Sequence, residues 1–158
     1  MRLDERVSRE NVEIARRANA AFNRGDAEAC AECFDSRGEM IDLRNAPDLP
    51  QRISGHAAIK DSIRAWSAAF DEFWAEVEEY TPIGDHVVCV VHWHGRGKDS
   101  GVSVDTHQID VYECRDGRIV QGTLGYPSKD AALEAAGLRN SHVAGERRDV
   151  ARSDVLRP

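Results

Sequence analysis

The feature that most limits how this chain can fold is a change in its hydrophobic period near residue 74. Before this point, apolar residues recur at steps of three and four, as on a helix that buries one side. The clearest run is Ile59, Ile63, Trp66, Phe70 and Phe73. From Trp74 to Thr81 the pattern alternates instead, as in a strand with one buried face. Helices followed by consecutive strands predict the α+β class.

Capping and turn residues set the expected limits of the domain. Ser8 is a candidate N-cap for the first helix. Asp116-Gly117 predicts a tight hairpin between two strands, because both central residues of such a turn adopt positive φ. Gly137 predicts the end of a closing helix. We therefore expect one domain over residues 8–138 and a polar tail over residues 139–158.

The strands should form a curved antiparallel sheet packed on the N-terminal helices, because short turns join one strand to the next. In the strand that begins at residue 87, alternation separates a wholly apolar set from a mixed one. The apolar set, which should face inward, is Val87, Cys89, Val91 and Trp93. A bent sheet of this kind is cone-shaped and leaves a hydrophobic pocket at its open end.

The long strand over residues 102–114 has polar and apolar residues on both faces. This pattern suits a strand with one face in a polar-decorated pocket and the other against a partner subunit. We therefore expect a homodimer formed through the sheet.

Two aspartates are candidate catalytic residues. Asp110 lies between Ile109 and Val111 in mid-strand, where burial would raise its pKa and keep it neutral as a hydrogen-bond donor. The alternative is an outward, solvated side chain. Asp42 ends the short apolar strand 39–43, and its alternative role is to hydrogen-bond a loop.

The formal net charge of −7 argues against nucleic-acid binding, which needs a basic face. It also disfavours an anionic membrane surface, and no apolar run approaches the ~18 residues that span a bilayer. The charged residues 1–6 do not resemble a secretory signal. We expect no nucleic-acid or membrane partner and a cytoplasmic location.

Neither the cysteines nor the histidines give a strong metal signal. Cys30 and Cys33 form a C-x-x-C that lies within a helix and lacks a second ligand pair, which favours small buried thiols. His92 and His94 form an isolated H-x-H on the expected outer face, where His107 is a possible neighbour. We expect no metal and no cofactor.

Four short segments, taken in order, resemble the SnoaL-like branch of the nuclear-transport-factor-2-like (NTF2-like) superfamily. They are Ala21-Phe22-Asn23-Arg24-Gly25-Asp26, Ile53-Ser54-Gly55-His56-Ala57-Ala58-Ile59, Arg115-Asp116-Gly117-Arg118-Ile119 and Tyr126-Pro127. The superfamily also holds ketosteroid isomerase, scytalone dehydratase and limonene-epoxide hydrolase. The resemblance implies a cone-shaped α+β barrel, commonly a homodimer.

The resemblance also implies roles for single residues. The isomerase's general base falls on Asp42, its protonated oxyanion-hole Asp on Asp110, and a pocket aromatic on Tyr126. The isomerase's oxyanion Tyr falls on Ala18, so a strict steroid isomerase does not match. The epoxide hydrolase needs an Asp-Arg-Asp arrangement, and no inward Arg is identified between the two aspartates.

We therefore predict a cofactor-free acid/base enzyme that acts through an enolate on a small hydrophobic carbonyl compound, of isomerase or cyclase type. Asp42 would remove the proton, and neutral Asp110 would donate to the oxygen. The expected substrate-binding residues are Asn19, Phe22, Trp66, Phe70, Trp93, Gln108 and Tyr126. The alternative is a non-catalytic binding or interaction module on the same fold.

Overall fold

The computed structural model describes residues 2–44 and 50–143, with side chains through Gly137. Two helices are followed by two strands, a third helix, four more strands and a last helix. The elements are α1 (Leu3–Asn23), α2 (Ala27–Glu32), β1 (Phe34–Asp42), β2 (Arg52–Ser54), α3 (His56–Ala69), β3 (Phe70–Ile83), β4 (His86–Gly97), β5 (Ser103–Arg115), β6 (Arg118–Tyr126) and α4 (Lys129–Val143). This order confirms the predicted α+β class.

The strands form one curved, unclosed six-stranded sheet in the order β2-β1-β6-β5-β4-β3. Strands β3 to β6 form the predicted antiparallel meander. The hairpin turn between β5 and β6 is confirmed, with φ of 52° at Asp116 and 79° at Gly117. Strand β1 joins the sheet parallel to β6, with Asp42 beside Leu124. The two strands therefore end at the same edge of the sheet.

The three N-terminal helices pack on one face of the sheet and build most of the core. The predicted inward set of β4 is confirmed, since Val87, Cys89 and Val91 are buried against α1 residues such as Ala15, and Trp93 packs on the same cluster. This apolar layer forms because α1 and β4 each present a continuous apolar stripe to the other.

Helix α4 covers part of the opposite face. Val88 and Val111 are buried there against Ala132 and Ala136 of the helix. The sequence pattern suggested a partner subunit for this outer face. Over this part of the sheet the cover is instead the chain's own helix, because its alanines allow close approach to the strands.

Three predicted helix limits were wrong. Helix α1 begins at Leu3 rather than after Ser8, because Asp4 and Glu5 in its first turn suit the positive end of the helix dipole. Helix α4 continues through Gly137 to Val143, so the predicted tail boundary at 139 falls inside a helix. Packing on the sheet outweighs the modest helix penalty of one glycine. Residues 144–158 of the predicted tail lie outside the described part.

The third error concerns the aromatic end of α3. The helix ends at Ala69, so Phe70 and Phe73 belong to β3 and not to the helical stripe. A register irregularity between Phe70 and Glu72 brings both rings to the same side of the strand.

Among the helices of the described residues, none combines the length and apolar character needed to cross a membrane.

Candidate functional site

Asp110 lies on the inner face of β5, opposite Cys89 of β4. Only 2% of its surface is exposed. Its Oδ1 accepts a hydrogen bond from Gln108 Nε2 at 2.9 Å and another from the Gly125 backbone N–H at 3.0 Å. Burial nevertheless outweighs these bonds and raises the pKa of Asp110 to about 7. Such a carboxyl group exchanges a proton readily near neutral pH.

Asp42 is at the end of β1, where it is bound on both oxygens by Arg44. The Arg44 backbone N–H and Nε donate to Oδ1, each at 2.8 Å, and Nη2 donates to Oδ2 at 2.6 Å. Burial alone would raise the pKa of Asp42, but the hydrogen bonds and charge of Arg44 lower it below its ordinary value. Asp42 is therefore an ionised anchor for the guanidinium.

Arg44 links the two aspartates. Its Nη1 donates to Gln108 Oε1 at 3.2 Å, and Gln108 in turn donates to Asp110. The Arg44 side chain packs directly on Gly125, because a Cβ on that glycine would lie only 2.6 Å from Arg44 Cγ. The sequence analysis found no inward Arg between Asp42 and Asp110, and this was wrong. Arg44 follows β1 by two residues and turns back over the end of the sheet.

Two adjoining cavities meet at this arginine. An inner, largely apolar cavity of about 100 Å³ has Asp110 in its wall, and an outer cleft of about 440 Å³ has Asp42 in its wall. The residues that border both are Met40, Arg44, Ile53, Ser62, Trp66 and Leu124. The Arg44 guanidinium lies over the Trp66 ring, 5.4 Å from its centre. Arg44 and Trp66 thus form a partition between the two spaces.

A continuous group of aromatic rings extends from the partition. Trp66 stacks on Phe70 and Phe73, with centroids 5.5 and 5.2 Å apart, and Phe73 stacks on Trp93 at 4.9 Å. Phe22 meets Phe73 and Trp93 edge-on. Phe22, Trp66 and Trp93 line the inner cavity, and Phe70 lines the outer cleft. These four predicted binding residues therefore all border the candidate site.

The other predicted binding residues have different positions. Asn19 borders the inner cavity while its Nδ2 donates to the Ala75 carbonyl at 3.1 Å, an interaction that joins α1 to β3. Gln108 is the polar link to Asp110 described above. Tyr126 was predicted to line the pocket, and this was wrong: it packs against the cluster beneath α4. The positive φ of 87° at Gly125 interrupts the alternation of β6 just before it.

Sequence reasoning missed two tyrosines of the inner cavity. Tyr112 and Tyr80 both line it, and burial raises the pKa of each, for Tyr80 to about 12. Both phenols therefore remain protonated and can donate a hydrogen bond. Tyr112 is separated from Gln108 and Asp110 by even numbers of residues along β5, so strand alternation places all three on one face. This pattern in the sequence could have identified Tyr112 as a cavity residue. These phenols lie elsewhere than Ala18, where the isomerase has its tyrosine.

The cysteines have the expected character of small buried thiols. Cys30, Cys33, Cys89 and Cys114 are all free and buried, and burial raises the pKa of Cys30 to about 12. Among the described residues, the clusters of His and acidic side chains with metal-ligand spacing lie on the outer face of the sheet and not in these cavities.

The sequence of residues 15–122 matches the SnoaL-like domain family. The chain belongs to the SnoaL-like family. This match covers the second part of α1, all of α2 and α3, the aromatic group, Arg44 and Asp110. No curated protein sequence matches the SnoaL-like chain described here.

Solved structures similar to this SnoaL-like protein share its fold at low sequence identity. A provisionally named SnoaL-like polyketide cyclase from Jannaschia sp. CCS1 is 18% identical, with a TM-score of 0.66 over 83% of this chain and 94% of that one. A Catenulispora acidiphila protein with a ketosteroid isomerase-like fold, in complex with trimethylamine, is 18% identical, with a TM-score of 0.65 over 79% and 92%. An NTF2-like protein from Burkholderia xenovorans LB400 is 21% identical, with a TM-score of 0.65 over 82% and 97%.

Proposed function

We propose that this SnoaL-like protein is a cofactor-free acid/base enzyme acting through an enolate on a small hydrophobic carbonyl compound, of isomerase or cyclase type. The observation that carries the proposal is Asp110, a buried carboxyl group in the wall of an apolar cavity with a pKa of about 7. A general acid or base is most effective when its pKa is near the working pH. The family, which includes isomerases and cyclases, supports the same reaction class.

The proposed proton carrier is Asp110 rather than Asp42. Within the described residues, the hydrogen bonds donated to Asp110 end on Oδ1, which leaves Oδ2 to take or return a proton. Asp42 has both oxygens engaged by Arg44 and a lowered pKa, so it is a weak base. This differs from the resemblance to ketosteroid isomerase, which implies that Asp42 is the base and Asp110 the oxyanion donor.

Arg44 and Tyr112 are the proposed partners of the developing oxyanion. When Asp110 takes the proton next to the carbonyl, the C–H electron pair forms the enolate double bond, and the oxygen receives the negative charge. A guanidinium beside a low-dielectric cavity stabilises such a charge strongly. Tyr112, kept protonated by burial, can donate a further hydrogen bond. Return of the proton at another carbon gives isomerisation, and attack by the enolate carbon on a second carbonyl gives cyclisation.

The two cavities indicate how a substrate would be placed. The inner space of about 100 Å³ is below the roughly 300 Å³ of a typical small-molecule site, whereas the outer cleft of about 440 Å³ exceeds it. We infer that the reacting end enters the inner cavity past Arg44 and Trp66, and the rest of the molecule stays in the cleft. The stacked aromatic rings favour a flat, apolar body.

A second candidate reaction is the hydration of a small hydrophobic epoxide. It is favoured by the Asp42–Arg44–Gln108–Asp110 chain, in which Arg44 binds Asp42 directly and is linked to Asp110 through Gln108. In this reaction a carboxylate takes a proton from water, the water oxygen bonds to an epoxide carbon, and the breaking C–O bond leaves an oxygen that receives a proton. Arg44 would hold Asp42 ionised, and Asp110 would be the neutral carboxylic acid.

The test is solvent deuterium exchange into a panel of enolisable hydrophobic ketones, because any enolate reaction begins with proton removal. Wild type should catalyse exchange, and Asp110→Asn should abolish it. Asp42→Asn should retain exchange at a lower rate, because it removes only the anchor of Arg44. Asp99→Asn, which removes an exposed carboxylate in the β4–β5 turn, should behave as wild type.

The outcomes separate the possible functions. Full exchange in Asp110→Asn would refute the proposed proton carrier. No exchange with any ketone, together with diol formation from epoxides that depends on Asp110, would favour hydration. Ligand binding without either reaction would indicate the non-catalytic module.

A further inference from the structure

A compact histidine cluster lies on the outer face of the sheet, away from both cavities. His92 of β4 is paired with Glu76 of β3 on one side and His107 of β5 on the other, so the three form one row across the sheet. The His92 ring stacks on His107, with centroids 4.2 Å apart, and lies beside His94 at 3.8 Å. Three imidazoles from the two adjacent strands β4 and β5 therefore gather at one place.

Glu78 joins two of these rings through the atoms that a metal would use. One oxygen of Glu78 lies 3.6 Å from His92 Nδ1, and the other lies 3.2 Å from His107 Nε2. In a tetrahedral zinc site with bonds of about 2.0–2.2 Å, ligand atoms are about 3.3–3.6 Å apart. The ligand atoms of Glu78, His92 and His107 all lie within 4.8 Å of one another. The two Glu78 contacts, made by different oxygens, thus have the spacing of a zinc site, and the remaining separations in the set are at most 4.8 Å.

The other nitrogen of His92 has the partner that a metal-binding histidine usually has. His92 Nε2 lies 2.6 Å from Asp105 Oδ1. A carboxylate that accepts the N–H from one imidazole nitrogen fixes the tautomer and orients the other nitrogen toward the metal. With Nε2–H donated to Asp105, the lone pair of His92 Nδ1 faces Glu78. Asp105 is therefore placed as a supporting residue rather than a ligand.

We propose that the outer sheet face binds one divalent transition-metal ion through His92 Nδ1, His107 Nε2 and a carboxylate oxygen of Glu78, with Asp105 supporting His92. Two imidazoles and one carboxylate suit Zn²⁺ or its neighbours and not Mg²⁺ or Ca²⁺, which prefer all-oxygen ligands. Three protein ligands leave a fourth position for water or another ligand. In the single chain the side chains of Glu78 and His107 are about half exposed, so an ion can reach the site.

A neighbouring set, Glu76 with His92 and His94, also has close ligand atoms, but it fits less well. Its Glu76–His94 distance is 3.7 Å, and its rings are tilted by 44°. Both sets use His92, so they cannot each hold an ion through the same nitrogen. The geometry favours the Glu78 set.

The experiment is a Zn²⁺ titration of the metal-free protein by calorimetry, with a chromophoric chelator as competitor. Wild type should bind one equivalent. His92→Gln and His107→Gln should each weaken binding by more than the about 10–100-fold that loss of a supporting residue costs, and Asp105→Asn should fall within that range. Glu72→Gln is the matched control, because it removes an outer-face carboxylate from β3, the strand that carries Glu78, and should leave the affinity unchanged. Circular dichroism of each metal-free variant checks that the fold is retained.

Cobalt provides a second measurement that depends on the ligands. Co²⁺ bound to wild type should give visible absorption bands of low-coordinate geometry, and these should be absent from His92→Gln. The proposal is overturned if wild type shows no micromolar Zn²⁺ binding, or if both histidine variants bind as wild type does. Loss in His92→Gln with full binding in His107→Gln would overturn the assigned ligand set, because the ion would then belong to Glu76 and His94.

Discussion

Replacing Asp110 by Asn should make the protein more stable than wild type, and the gain should grow with pH. Burial raises the pKa of Asp110 from its ordinary value of 3.8 to about 7. Between these values the folded chain keeps a proton that the unfolded chain loses. The stability contributed by the neutral carboxyl group is complete below pH 3.8 and is lost as pH rises to about 7.

The size of the effect follows from the width of this pH window. Each pH unit is worth about 1.4 kcal/mol, so the full window is worth ~4 kcal/mol. Asn never ionises, and its Oδ1 can still accept the Gly125 N–H and the Gln108 amide that Asp110 accepts. The variant should therefore avoid this loss without forfeiting those hydrogen bonds.

The measurement is urea unfolding of both proteins at a series of pH values from 4 to 9. The difference in unfolding free energy, variant minus wild type, should rise by ~1.4 kcal/mol per pH unit up to about pH 7 and then level off. A difference that stays constant across the range would show that Asp110 ionises with an ordinary pKa, and the reasoning about its burial would be refuted.

Two further predictions concern packing and assembly. A Cβ on Gly95 would lie 2.9 Å from the Glu72 carbonyl oxygen and from Phe73 Cδ1, so Gly95→Ala should lower the free energy of thermal unfolding by ~1–3 kcal/mol. Gly137→Ala, which has open space at its Cβ, should raise this free energy by up to ~1 kcal/mol. Equal effects of the two substitutions would contradict the packing argument. We also propose a homodimer through the outer sheet face, where Trp74 is 58% exposed; light scattering should give about twice 17.6 kDa, and a single species at 17.6 kDa would exclude it.

The sequence predicted those parts of the molecule that depend on local periodicity. The change of period near residue 74, the inward set of β4 and the Asp116-Gly117 turn all follow from nearest-neighbour chemistry. These three features needed no knowledge of distant contacts. The burial of Asp110 was one of two alternatives that its apolar neighbours Ile109 and Val111 left open, and the layers that cover both faces of β5 decide between them.

The rest depended on long-range contacts that a periodic pattern does not contain. Arg44 joins the site because β1 pairs with the distant strand β6, as in the pairing of Asp42 with Leu124. Tyr126 leaves the pocket because Gly125 takes a positive φ and ends the alternation. Gly137 does not end α4, because the helix is held by packing on β4 and β5. In each case a tertiary interaction outweighed a local preference.

The parallel pairing of β1 and β6 has a consequence for how such a site can evolve or be redesigned. The pairing from Glu39 to Asp42 is regular, whereas the register shifts between Phe34 and Glu39. An insertion of one residue before Glu39 can be absorbed by this irregularity. The same insertion between Glu39 and Arg44 would turn successive side chains to the opposite face and carry the guanidinium away from Asp110. The number of residues between Phe34 and Glu39 can therefore vary, whereas the number between Glu39 and Arg44 must stay fixed for Arg44 to reach the site.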